Sequence, residues 1–380
     1  MRAAGMHPAG RALIAGWATL LLLSGGGALL LQELGAPHPR APKAVIAGSQ
    51  PLPPKSTQEP TTPAAGVGAT PLPAVASIPV ALAKPDLALL EPAPDYPDRM
   101  LPRIADDGRR PAQVYAAHPG APPHGQIVAI LIEGLGLSDA ISHTAIDSLP
   151  AAISLGFSPY AVAFDHPPGP VRDQSGVSTL AEAARLVGHE TLLSLPMEPA
   201  GSPLDDEGPQ ALSTTLAFDQ DRRALQWTLS RLQGYVGVTN ALSGLRGDRF
   251  ANSGAFGIVA GALSSRGLIY VDAGTGPHAG PVVPMPDSVH ADLTLDSEPD
   301  AADIEARLSR LEQLAVSQGS ALGIAGPLRP VTIARLAAWS RHLGDRGITL
   351  VPVTVLLSWR QHRPDAAAPK AIPVTAGSPS

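Results

Sequence analysis

The chain has 380 residues, with 42 Pro, 38 Gly and no Cys; 16% of residues are charged and the formal net charge is −6. The missing cysteine excludes disulfides, zinc–thiolate sites and thiol nucleophiles. The sparse, net negative charge leaves no basic footprint for nucleic acid.

Residues 12–31, ALIAGWATLLLLSGGGALLL, carry no charge, and as a helix they would span about 30 Å of hydrocarbon. Arg2 and Arg11 precede the run, so the positive-inside tendency places everything after Glu33 outside the cytoplasm. The expectation is a single-pass anchor in the cytoplasmic membrane with the folded part in the periplasm or outside the cell. A cleaved signal peptide is the rival reading, although its apolar core is normally shorter. Residues 36–122 read as a Pro/Ala/Thr-rich linker without helical or strand periodicity, because Pro removes donors and disfavours helix before it. Within it, residues 95–116 are more charged and suited to docking on the domain C-terminal to them.

From residue 123 to 360 the pattern is that of one folded domain, with a disordered tail over 361–380. Apolar runs at 127–132, 152–157, 190–196, 235–240, 267–272, 320–326 and 347–353 alternate with amphipathic segments near 138–148, 176–188, 219–233, 252–266, 301–317 and 330–346. Near-continuous apolar strands between helices indicate an α/β fold with a parallel sheet, covered on both faces or closed into a barrel. Functional side chains then belong at the carboxyl ends of the strands.

Those ends carry LIEGLGLSDA, SLGFSPYA, GHETLLSLPMEP, VGVTNALSG, GLIYVDAGT and ALGIAGPLRPVTIARL, in order over about residues 125–358. In this series the chain resembles the divergent polysaccharide deacetylase family, most specifically in Leu195-Pro196-Met197-Glu198-Pro199. The resemblance implies a distorted parallel β/α barrel, related to the nodulation-type carbohydrate deacetylases, and an exported protein. It also implies a chemistry in which a divalent metal, held by Asp and His, polarises an acetamide and activates water while a second Asp acts as base.

The family's usual Ile-Asp-Asp-Leu-Gly reads here Ile132-Glu133-Gly134-Leu135-Gly136, and the His before Leu-Pro-Met is Ser194. The usual Asn-His-Met-Gly is Asn240-Ala241-Leu242-Ser243, and the late Gly-His-Pro is Ala325-Gly326-Pro327. His143, His166, His189, His278, His290 and His342 show no ligand-like spacing. The expectation is therefore no metal site and no cofactor. No Gly-x-Ser-x-Gly elbow and no phosphate loop replace it.

Glu133 and Asp272 remain as candidate catalytic carboxylates, able in principle to act as a glycosidase-like pair. Their bland alternative is that Glu133 accepts backbone N–H bonds while Asp272 holds a loop. Glu198, Asn240 and Arg246 offer donors and acceptors for sugar hydroxyls, and Tyr160, with Phe157, could stack on a sugar ring. Trp227, Trp339 and Trp359 read as packing residues. Three functions stay open: an impaired member of the family binding envelope glycan or an envelope protein, an active carbohydrate deacetylase or hydrolase with a rearranged, metal-free site around Glu133 and Asp272, and a purely structural envelope scaffold.

Overall fold

The computed structural model describes residues 80–118, 123, 125–161, 175–275 and 283–362. The expected membrane segment, the linker before Val80 and the tail beyond His362 lie outside the described residues. Among the described residues no helix is long and apolar enough to cross a membrane.

The described chain opens with an antiparallel hairpin, β1 (Leu90–Ala93) and β2 (Tyr96–Pro102), followed by a helical turn at Pro111–Val114. This corrects the expected linker, whose last part is folded. The Pro-rich text hid enough apolar residues to pack, and Leu89, Leu101 and Tyr115 are all buried. Polar contacts fix the hairpin as well: Arg222 pairs with Asp95, and Arg266 donates to Glu91 at 2.5 Å. The Arg99 guanidinium lies over the rings of Tyr96 and Trp227, 5.7 and 6.0 Å from their centroids.

The central strand β3 (Gln126–Leu135) is buried along almost its whole length, as its unbroken apolar sequence requires. Parallel strands β4 (Ser154–Phe157), β5 (Thr191–Ser194), β6 (Gly237–Thr239) and β7 (Ile269–Asp272) come next in sheet order. β8 (Ser288–His290) pairs with β7, and β9 (Leu293–Thr294) pairs with β10 (Ser320–Ala325), which returns to β3. Between them, Ala291 N–H donates to Asp272 O and Asp292 N–H to Leu322 O, so one segment links both ends of the curled sheet. β11 (Ile348–Leu350) pairs with the start of β3, beside Gln126–Val128.

Helices α1 (Asp139–Ser148), α2 (Ser175–Leu186), α3 (Phe218–Leu229), α4 (Gly257–Arg266), α5 (Ala301–Gln318) and α6 (Pro330–Ser340) alternate with the strands. They cover the outer face, where Ile130, Ile132, Leu193, Val238 and Tyr270 join one core. Local chemistry sets their ends. The Asp300 carboxylate accepts from Ala302 and Asp303 N–H at the start of α5, and Gly319 ends that helix at φ 80°.

The inner face carries Ile127, Ala129, Leu131, Leu192, Val271 and Ile324, packed with Leu89, Tyr115 and residues of α7 (Val353–His362). α7 runs on almost directly from β11 and sits at the amino ends of β4 and β5. There Glu190 gathers four donors: Ala117 N–H (3.1 Å), Ser154 Oγ–H (3.2 Å), Thr354 N–H (3.2 Å) and the Thr354 hydroxyl. This buried carboxyl ties the folded N-terminal segment and the last helix to the sheet. The opposite, carboxyl ends of the strands are left for the site.

Candidate functional site

Glu133 ends the apolar run of β3 on the inner face and is 1% exposed. Its Oε2 accepts from Ser243 N–H at 3.0 Å and its Oε1 from Gly244 N–H at 2.8 Å. Burial pushes its carboxyl up to about 7, against the two amide bonds, with Asp296 adding to the rise. Its neighbours leave little room. A Cβ on Gly326 would stand 2.2 Å from Glu133 Oε1, and Gly326 has φ +152°. A Cβ on Gly134, at φ +99° in the irregularity between β3 and β4, would stand 2.9 Å from Leu328 N. At both positions where the resemblance implies ligand side chains the backbone conformation favours glycine, and a side chain would meet the Glu133 carboxylate at 326 and the Leu328 backbone at 134.

Asp272 closes β7, and its Oδ1 accepts from Asn240 Nδ2 and from Gly274 N–H, both at 2.9 Å. Asn240 is fully buried, and its Oδ1 accepts from Ala273 N–H at 2.7 Å. The Arg246 guanidinium donates to Ala273 O and to the Thr294 hydroxyl. Burial lowers its proton affinity, while Asp248, Asp272, Asp296 and Glu133 oppose that. Glu133, Arg246, Ala273, Thr294 and Gly326 line a space of about 10 Å³, roughly the room one water needs.

The other expected ligand contacts are also engaged internally. Glu198 Oε2 accepts from Ser213 Oγ–H (3.0 Å), Thr214 N–H (2.7 Å) and Thr214 Oγ1–H (2.7 Å). Burial would raise this carboxyl, but those bonds and Arg249, 3.5 Å away, hold it below its usual range. Tyr160 is half-buried with its ring centroid 5.6 Å from that of Trp227, and its hydroxyl oxygen accepts from Gln210 N–H at 3.1 Å. Phe157 is in the core. In these placements the groups expected to meet a sugar also hold strand-end loops together. Trp227, Trp339 and Trp359 are packing residues, Trp339 also donating to Glu312 at 2.7 Å.

Two further carboxyls at this end are not evident from the sequence. Glu207, in the long loop after β5, accepts from Met197 N–H (2.8 Å) and Gly247 N–H (3.0 Å). Burial raises it to about 8, with Glu133 and Asp248 contributing. Asp296, just past β9, accepts from Gly326 N–H and Thr332 Oγ1–H, each at 2.9 Å. The Asp-Asp-Glu-Gly text around Glu207 looks like an ordinary solvated loop, and β9 is too short to announce Asp296. Glu133 and Glu207 together hold the turn from Ser243 to Gly247, in which Ser243 is a non-glycine residue at φ 54°.

The donor set does not suit the metal the resemblance implies. Both oxygens of Glu133 take amide hydrogens, and Gly134, Ser194, Ala241 and Gly326 offer no imidazole or carboxylate. Among the described residues no three His, Cys, Asp or Glu side chains group to hold an ion. His189 is buried, with Nδ1 2.8 Å from Ile153 O and Nε2 3.2 Å from Ile146 O, and burial lowers its proton affinity. His143, His290 and His342 are exposed, while His166 and His278 lie outside the described residues.

The sequence profile described as divergent polysaccharide deacetylase matches residues 130–357. Among solved structures, an uncharacterized protein of Agrobacterium tumefaciens is similar, at 32% identity and a TM-score of 0.59, over 68% of this chain and 99% of that one. A family 4 carbohydrate esterase from Streptomyces lividans, in complex with acetate, matches at 10% identity and a TM-score of 0.31, over 60% of this chain and 91% of that one. No curated protein matches. With the profile spanning well over half the chain, the protein belongs to the divergent polysaccharide deacetylase family.

Proposed function

We propose that this carbohydrate-related domain is a catalytically impaired deacetylase-type domain that works in the cell envelope by binding, tethered to the membrane through residues 12–31. The observation that supports it most is the fit of Glu133 against Gly326. The longer carboxylate lies where a side chain at 326 would have to stand, and its oxygens are taken up by the amides of Ser243 and Gly244. A base or metal ligand needs an oxygen open to substrate or ion, whereas each oxygen here already takes one amide N–H and the space beside them has room for about one water. The space beside it, at about 10 Å³, is far below the ~300 Å³ at which ligand pockets begin. Envelope location is supported by the uncharged run after Arg11.

Two measurements on the full chain test this reading. Fractionation should recover it with the membrane, and a chain lacking residues 1–35 should be soluble. Co-sedimentation with purified envelope glycan, or equilibrium binding to envelope proteins, should show binding unchanged in Glu133→Gln. Binding that disappears with Glu133→Gln would return the function to the strand-end carboxylates and sink the proposal.

A further inference from the structure

The long loop after β5 leaves a second feature that the strand-end site does not use. Residues 195–221 carry Glu198, Asp205, Asp206, Glu207, Asp219 and Asp221 without one Lys or Arg. This stretch folds around a pocket of about 280 Å³, with Glu198, Pro203, Asp205, Asp206, Leu212 and Leu216 in its wall. Such a volume, just under the ~300–1,000 Å³ of whole-ligand sites, suits one or two side chains of a larger partner.

Large apolar side chains next to its wall residues in the chain are exposed. Leu204 is 95% exposed, Phe218 68% and Leu216 42%. One exposed leucine needs no explanation, but three exposed large apolar side chains within fifteen residues of the loop that walls one pocket are a feature that points to binding. Leu204 sits between two wall residues, Leu216 is in the wall, and Phe218 begins α3 two residues later.

The polar chemistry is one-sided. Glu198, Glu207 and Asp221 are buried and accept hydrogen bonds from this loop and its neighbours. Asp205 and Asp206 are exposed, the Asp205 carboxylate lying against Gly201 and Asp206 accepting from the nearby Gly208 N–H at 2.8 Å. The cation drawn to the wall, Arg249, is paired with Glu198 and donates to Ser202 O at 3.3 Å. With Arg249 engaged by Glu198 and Ser202, the remaining open charges in the wall are the carboxylates of Asp205 and Asp206, and an occupant complementary to them brings donors and positive charge. Sugar hydroxyls could donate, but they would leave Leu204 and Leu216 uncovered, whereas aliphatic side chains would cover them.

We infer that this lobe is a docking surface for an extended peptide segment of a partner protein, in which Lys or Arg is flanked by apolar side chains. The inference rests on the non-catalytic binding reading above and names the kind of partner. The basic group enters between Asp205 and Asp206, and the flanking side chains lie on Leu204, Leu216 and Phe218.

The test is fluorescence anisotropy of the full chain in detergent with labelled acetyl-Leu-Lys-Phe-Lys-Leu-amide, against the same peptide with Glu replacing Lys. Binding of the basic peptide should weaken as salt rises from about 50 to about 500 mM. Asp205→Asn with Asp206→Asn should weaken it about tenfold, and Phe218→Ser about fivefold, with circular dichroism unchanged because all three side chains are exposed. The inference is overturned by no binding at about 1 mM peptide, by equal binding of the Glu peptide, or by unchanged affinity in these variants. A glucosamine oligomer that binds more tightly, with the same sensitivity to the variants, would overturn it in favour of a glycan site. Acetate release by the same preparation is a separate readout. Release together with peptide binding refutes the non-catalytic reading and keeps the docking surface, while silence in both refutes the docking surface alone.

Discussion

Glu133 and Gly326 are a matched pair: the carboxylate of one occupies the volume in which a side chain on the other would stand, 2.2 Å from its Oε1. The pair should therefore be energetically coupled. Gly326→His alone introduces a collision at a positive φ and should cost about 2–4 kcal/mol. Shortening the partner with Glu133→Asp should restore part of that, giving a coupling energy of about 1–3 kcal/mol in a denaturation double-mutant cycle. Strict additivity would mean that the two positions do not share this space.

The strand-end carboxyls also set a pH dependence. Burial raises Glu133 to about 7 and Glu207 to about 8, both above an unfolded value of 4.5. A raised carboxyl contributes stability that is fully present below the unfolded value and is lost as pH climbs through the folded one. The melting temperature should therefore decline between about pH 5 and pH 9, and Glu207→Gln should flatten the upper part of that decline. Parallel profiles for wild type and Glu207→Gln would show that Glu207 titrates normally.

At the other end of the barrel, Glu190 joins three separated parts of the chain through Ala117, Ser154 and Thr354. Its carboxyl is raised by burial against those bonds. Glu190→Ala leaves buried donors unpaired and should cost about 3 kcal/mol or more, whereas Glu190→Gln, which keeps the shape, should cost less. Limited proteolysis should then cut first near residues 80–117 in Glu190→Ala. Equal stability of both variants would remove the hub.

The folded N-terminal segment gives a prediction about truncation. A chain starting at residue 121 loses Leu89, Leu101 and Tyr115 from the core. It should expose apolar surface, bind a hydrophobic dye and melt well below a chain starting at residue 80. Equal melting temperatures would return residues 87–117 to the status of a linker.

Much of the barrel was legible because its strands are buried on both faces. IVAILI and SALGIAG stand out as unbroken apolar runs, and β3 and β10 lie where those runs are. β8 and β9 were not legible, since at two or three residues a strand has no period and is defined by its partners. The hairpin was masked by its prolines, although the charge in residues 95–116 pointed to docking. In the site, the sequence located Glu133, Asn240, Asp272 and Arg246 at the strand ends but not what they bond to. That depends on backbone amides of distant turns, such as Ser243 and Gly244 for Glu133, which no side-chain pattern records. Glu207 was invisible for the same reason.

Whether the strand-end site is silent is read most directly from acetate release. The substrate is an N-acetylated oligosaccharide, and the purified full chain is supplied with zinc, cobalt or nickel in turn. No release above that of Glu133→Gln is expected under any metal. Metal-dependent release by the wild type that is lost in Glu133→Gln would contradict an impaired site and make Glu133 a working catalytic carboxylate.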